Sequence, residues 1–258
     1  MIHIQGRIRS LAVIGSIVFF LVTVPIDIYI ELTKMLYKNW VLYCLPDAYA
    51  YALNRMIWLV FPVIGIVYIN MLKYYFSINQ IIRRADYRKI WINLIKDTFI
   101  TAFLAALYIF IWVTICGVFL ADRVQCNWSD FNSNAYEVLK IQVDTFVDYR
   151  LMMFICLWVT FFMIFCVGLF IVITWWVFNT PVIGYAAVPA LMMAEMSISP
   201  PPVNIFFAKI LCKLKDRYLY YSGLDYFNVC IYPALIAAVL IVAGFVLIRR
   251  KDFLKKQW

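Results

Sequence analysis

Residues 78–97 read INQIIRRADYRKIWINLIKD, a charged island between two long apolar runs. Its basic residues are Arg83, Arg84, Arg88, Lys89 and Lys96, opposed by Asp86 and Asp97. The stretch is too polar to cross a bilayer and too patterned for a plain linker. Ile78, Ile81 and Ile82 fall at helical spacing, and Ile90, Leu94 and Ile95 repeat the pattern beyond the basic cluster. It predicts a short helix on the cytoplasmic surface, the side on which Lys and Arg between spans are retained. Two uses stay open: a docking surface for a cytoplasmic partner, or a basic loop that only orients the chain.

Outward from the island the chain is apolar. Of its 258 residues 66% are hydrophobic and 14% charged, too few charges for a water-soluble domain of this length. About 20 apolar residues at 1.5 Å rise cross a hydrocarbon core of about 30 Å. The expected fold class is an all-α integral membrane protein. Residues 1–258 form a single transmembrane domain with both termini cytoplasmic. Spans are expected at about 11–30, 56–76, 98–120, 151–178, 182–198 and 230–248. The net charge of +9 fits inner segments that face anionic membrane lipids better than it fits nucleic acid.

Taken in order, residues 1–10 place Arg7 and Arg9 among apolar residues and predict an amphipathic lead-in on the inner surface. A signal peptide is disfavoured: no small-x-small cleavage site follows, and Pro25 and Asp27 interrupt the run. Pro25 is expected to kink the first span near its outer end. Glu31, Lys34, Lys38, Asp47 and Arg55, with Tyr37, Trp40, Tyr43, Tyr49 and Tyr51, mark an external, interfacial segment. Residues 121–150 are the most polar stretch and rich in acids, as an outer loop would be. Asn127-Trp128-Ser129 within it is a glycosylation sequon, a triplet common by chance. Asn179-Thr180-Pro181 predicts a tight turn. The fifth span is short, is broken by Gly184 and Pro189, and ends at Pro200-Pro201-Pro202. Residues 203–229 show an apolar face (Ile205, Phe206, Ile210, Leu211) and a basic one (Lys209, Lys213, Arg217), expected as surface-lying or re-entrant helices at the outer face.

This topology gathers Arg7, Arg9, Lys73, the island and the tail basics Arg249, Arg250, Lys251, Lys255 and Lys256 inside, opposed by Asp86, Asp97 and Asp252. Placing residues 209–217 inside instead would put Arg249–Lys251 on the wrong side.

Little in the chain points to catalysis. His3 is the only histidine, which removes histidine metal sites and His-dependent triads. No GxxxxGK[ST], HExxH or GxSxG pattern occurs. Among the seven cysteines, Cys116, Cys156 and Cys166 fall in apolar runs as packing residues. Cys44, Cys126 and Cys212 fall in expected outer segments, where a disulfide is possible, although no framework spacing supports one. Intramembrane charge is limited to Asp27 and Glu195. Both are candidates for a pathway or gate, and both lie near outer ends of spans, where pairing with Lys34 or Arg55 or contact with interfacial water is the plainer role.

The lead-in IHIQGRIRSL, the basic island with DYRKIWINLIKD, the triple-proline outer segment and the tail RRKDFLKK together resemble the permease subunit of an ABC transporter of the type-two exporter class. The likeness spans the whole chain by layout, through short motifs, and departs from the family in the tyrosine-rich segment after the first span. It implies six spans with cytoplasmic termini, an amphipathic N-terminal helix, a coupling helix between the second and third spans, and re-entrant helices before the last. It implies partners: cytoplasmic ABC ATPase subunits carrying ATP and Mg²⁺, and a second permease, identical or related. No cofactor is expected in this chain, and it is not expected to be an enzyme. Ile81, Ile82, Arg83, Arg84, Arg88 and Lys89 would then dock the ATPase. A hydrophobic or amphipathic cargo, such as a peptide or lipid, suits the aromatic-rich spans. A secondary transporter or channel, and a membrane scaffold or immunity protein without transport, are the alternatives. The first would need polar groups at mid-membrane depth or paired broken helices in the two halves; the span middles carry no charge, and the broken fifth span has no clear counterpart in the first half.

Overall fold

The computed structural model describes residues 2–36, 43–75, 87–143, 148–178, 180–198, 204–223 and 227–250. Among these the only regular structure is helical, joined by short irregular segments and without strands. Its helices are α1 Ile2–Leu36, α2 Leu45–Tyr75, α3 Tyr87–Leu120, α4 Asn134–Leu139, α5 Tyr149–Phe178, α6 Pro181–Ser197, α7 Ala208–Cys212, α8 Leu214–Gly223 and α9 Tyr232–Arg250. A π-turn at Phe227–Ile231 leads into α9. Four stretches are long and apolar enough to cross a membrane: Ile14–Lys34, Arg88–Leu120, Tyr149–Phe178 and Val229–Ile248. Phe61–Leu72 and Val182–Ser197 are shorter apolar helices.

Successive long helices alternate in direction, so the bundle has two ends. At one end Leu32 of α1, Asp47 of α2 and Gly117 of α3 line one small cavity. At the other, Trp91 of α3 meets Trp176 of α5 edge-on at 4.8 Å, and its indole N–H donates to the Ile241 carbonyl of α9 at 3.1 Å. The indole can lie against α9 because the facing residue is Gly244, where a Cβ would collide with the ring. Helix α5 is the central element. In its most apolar window 83% of residues are buried, against 22% in α1 and in α9. It packs on α2, α3, α6 and α9. Gly168 in its middle admits the rings and methyls of Tyr68 and Thr98, which fixes the crossing of α2, α3 and α5.

Four expectations can be set against these helices. First, the lead-in is no separate element: α1 runs unbroken from Ile2 to Leu36, and no proline precedes Pro25 to end the first turns. Second, Pro25, expected to kink the span near its outer end, lies inside α1, which stays helical through it to Leu36. Its ring lacks the N–H that would pair with the Leu21 carbonyl, and Tyr108 Oη of α3 donates to that oxygen instead. Third, α2 begins at Leu45, well before the expected 56. Pro46 stands in its first turn, and Asp47 Oδ2 accepts the Cys44 N–H at 2.9 Å in the manner of a capping box. Fourth, α3 begins at Tyr87, so Arg88–Asp97 are its opening turns rather than an element apart. Ile90, Trp91 and Leu94 are buried there, which explains why the apolar pattern after the basic cluster continues into the span.

The stretch before the last span also takes a definite form. Helices α7 and α8 do not lie on the surface. Phe206, Phe207, Leu211, Tyr218 and Tyr221 are buried, and α7 packs on α2 and α6. Before α6, Thr180 Oγ1 accepts the Val182 N–H and Pro181 opens the helix; Asn179 of the expected turn lies outside the described residues.

Candidate functional site

The densest polar cluster among the described residues surrounds Asp47, 1% exposed, in the first turn of α2. Its Oδ2 accepts the Cys44 N–H and, at 3.3 Å, the Cys44 thiol. Its Oδ1 accepts Trp128 Nε1–H at 3.1 Å and Tyr218 Oη–H at 3.0 Å. Tyr218 in turn accepts from Asn134 Nδ2, whose Oδ1 accepts from Tyr51 Oη at 2.7 Å. Protons therefore point one way along the relay, from Tyr51 through Asn134 and Tyr218 to the carboxylate.

Local structure sets each member. Ser133 caps α4 by accepting the Tyr136 N–H and donates to the Trp128 carbonyl, which fixes both Asn134 and Trp128. Trp128 stands edge-on to the Tyr218 ring at 4.8 Å. The relay thus fastens α2, the segment before α4, α4 and α8 to one another. Burial pushes the Asp47 carboxyl above its ordinary value, and the donated hydrogen bonds oppose that rise. Burial, followed by the charge of Asp47, pushes the Tyr218 phenol well above its ordinary value, so it serves as a donor. With its donors aligned and water excluded, the cluster acts as a lock on this end of the bundle.

Glu195, 5% exposed near the end of α6, forms a second centre at the same end. Its Oε1 accepts the N–H groups of Ile205 at 2.6 Å and Phe206 at 3.0 Å, and its Oε2 accepts that of Ala208 at 3.2 Å. These are donors ahead of and at the start of α7, which the helix itself cannot satisfy. Between them Phe207 holds φ 57°, a left-handed conformation costly for an aromatic residue. Glu195 is the clamp that sustains this turn. Asp27 is half-buried on α1, which packs on α2 and α3, whereas α6 packs on α5 and α7. The two acids named from the sequence do not meet in one constellation.

Arg88 and Lys89 are exposed at the start of α3, at the Trp91 end. Ile81, Ile82, Arg83 and Arg84 lie outside the described residues. Cys116, Cys156 and Cys166 are buried within helices, as packing residues should be. Asn127 of the sequon is 3% exposed, so the folded chain hides it from modification. Among the described residues no three His, Cys, Asp or Glu side chains gather as metal ligands would.

Sequence reading placed Asp47 only as a marker of an external segment and did not single out Trp128, Asn134 or Tyr218. One signal was available: Leu45-Pro46-Asp47 is a helix start, with proline and an acid in the first turn. The chain matches no protein-family model, no curated protein and no solved structure.

Proposed function

We propose that this chain is the permease subunit of an ABC transporter, a multi-pass protein of the cell membrane. In this reading it pairs with a second permease, identical or related, and separate cytoplasmic ATPase subunits bind ATP and Mg²⁺. The observation that carries the reading is the placement of α7 and α8. The pair, which follows α6 in the chain, packs at the Asp47 end, α7 on α2 and α6 and α8 on α2 and α4, opposite the end where Arg88 and Lys89 are exposed. A re-entrant pair opposite a basic docking end is the layout expected of this class.

The six-span reading counts the long stretches of α1, α3, α5 and α9 together with α2 and α6. In this reading the Trp91 end, with basic residues near Arg88 and at the end of α9, faces the cytoplasm. There residues 78–89 would lie in a groove of the ATPase, with Arg83, Arg84, Arg88 and Lys89 orienting the contact and Ile81 and Ile82 supplying buried area. Because Arg88 and Lys89, at the end of the docking segment, belong to the same helix as the third span, a tilt imposed there by ATPase closure would pass directly into the bundle. The cargo suggested by the aromatic-rich spans is hydrophobic or amphipathic, a peptide or a lipid.

The test is purification from the native membrane in gentle detergent, with mass spectrometry of what accompanies the chain. A stoichiometric P-loop ATPase, lost from the Arg84→Glu/Arg88→Glu variant, is the expected result. A chain that purifies alone in every mild detergent would favour the secondary-transporter or scaffold readings.

A further inference from the structure

We propose that Cys44 and Cys126 are joined by a disulfide in the mature protein, formed by exchange with a thiol oxidoreductase in its disulfide form. The backbone brings them together. Asp122 N–H donates to the Tyr43 carbonyl at 3.2 Å and Leu45 N–H to the Arg123 carbonyl at 2.9 Å, so residues 43–45 and 122–123 run side by side. The segment then bends over residues 122–125, which brings Cys126, like Cys44 a free thiol here, into interaction with Cys44 beside the Asn127 N–H. Cys116, Cys156 and Cys166 lie inside helices α3 and α5 rather than in the paired segments.

The two thiols differ in access, which sets the order of steps. Cys44 is 1% exposed, whereas Cys126 is half-buried and opens onto a surface cleft with Arg123 and Asp130. Cys126, as thiolate after losing its proton to water, attacks the oxidoreductase disulfide. A mixed disulfide forms and one oxidoreductase thiolate leaves. Cys44 then attacks the Cys126 sulfur, its proton passing to Asp47 Oδ2, 3.3 Å away, and the second oxidoreductase thiolate is released. The two electrons end on the oxidoreductase as a dithiol, protonated from solvent. Burial holds the Cys44 thiol above its ordinary value, so it waits for the mixed disulfide rather than reacting first.

The exposed basic residues Arg88 and Lys89 mark the Trp91 end as the cytoplasmic one, which leaves this junction on the oxidising side. The bridge fastens the first turn of α2 to the segment carrying Trp128, and so holds the Asp47 relay closed.

The experiment is peptide mapping of the wild-type chain, taken from cell membranes quenched with N-ethylmaleimide and digested without reductant. A linked peptide pair containing Cys44 and Cys126 is expected, with two further thiols per chain reacting with maleimide only after reduction. Cys126→Ala should abolish the pair. Wild-type mapping keeps the test valid if that variant misfolds. Recovery of Cys44 and Cys126 as separately alkylated peptides from wild-type membranes overturns the proposal, whatever the purified chain does with oxidised glutathione.

Discussion

Tyr108 Oη donates to the Leu21 carbonyl, the oxygen that Pro25 leaves without its helical N–H. The Phe20 ring lies 5.7 Å from the Tyr108 ring, so the donor is held in place by packing as well. In hydrocarbon no water can take over such an oxygen, and a proline inside a span is tolerated where a neighbouring helix supplies the partner. Here α3 does so for α1. The contact explains why α1 continues through Pro25 instead of breaking there.

A double-mutant cycle isolates this bond. Tyr108→Phe removes the hydroxyl alone and should cost about 1–3 kcal/mol, because it leaves a carbonyl unpaired. Pro25→Ala restores the N–H that Leu21 lacks. In that background Tyr108→Phe should cost much less, giving a coupling of about 1 kcal/mol or more. Thermal unfolding of the four proteins in one detergent measures it, and additive effects would show that Tyr108 does not act on the Pro25 gap.

The Asp47 relay predicts a pH dependence of stability. Burial raises the folded-state carboxyl above 3.8, its ordinary value. Above about pH 4 the folded chain therefore holds more protons than the unfolded chain. Stability should fall as pH rises from there, until the folded-state carboxyl has ionised. Asp47→Asn should flatten this fall, even though the amide places an N–H where an acceptor is needed and lowers stability at every pH. Tm measured at intervals between pH 4 and pH 8 tests this. A variant that keeps the wild-type slope would assign the dependence to other groups.

The apolar runs in the sequence marked where helices lie, because about 20 consecutive apolar residues have few alternatives. The onsets of α2 and α3 were less legible. The charges of Asp47, Arg55, Arg88 and Lys96 were read as belonging to surface segments, yet charged residues in the end turns of a long helix keep its backbone bonds intact. Asp47 is buried because its donors come from Trp128 and Tyr218, 81 and 171 residues away. No local pattern encodes those partners. Glu195 was visible as an acid in a span, but its role as acceptor depends on residues 205–208 being brought against the end of α6, which composition does not describe. Pro46-Asp47 and Thr180-Pro181 were local signals, and the first passed unused.

Two glycines should respond oppositely to the same change. Gly244 faces the Trp91 indole, whose N–H is tied to the Ile241 carbonyl, so the ring cannot swing away from a new methyl without losing that bond. Gly244→Ala should destabilise by about 1–3 kcal/mol, the usual cost of overpacking. Gly15 has nothing within 4 Å of the position a Cβ would take. Gly15→Ala should be neutral or stabilise by up to about 1 kcal/mol through helix propensity. Unfolding in the same detergent compares them, and a large loss from Gly15→Ala would mean that the Gly15 face of α1 is covered by another chain.

Glu195 separates a structural from a transport role. Glu195→Ala would leave the N–H groups of Ile205, Phe206 and Ala208 without their acceptor, beside a Phe207 held at positive φ. Leaving several buried donors unmet should cost about 2–5 kcal/mol and loosen α7 and α8 together. Glu195→Gln keeps one carbonyl oxygen in the clamp and should retain much of the stability. Limited proteolysis between α6 and α8 reads the clamp, and, if the proposed permease function holds, cargo export from vesicles reads transport. The clamp assignment expects both to fail in the alanine variant and both to persist in the glutamine variant. Normal proteolysis with lost export in Glu195→Gln would instead place a titrating carboxylate in the pathway.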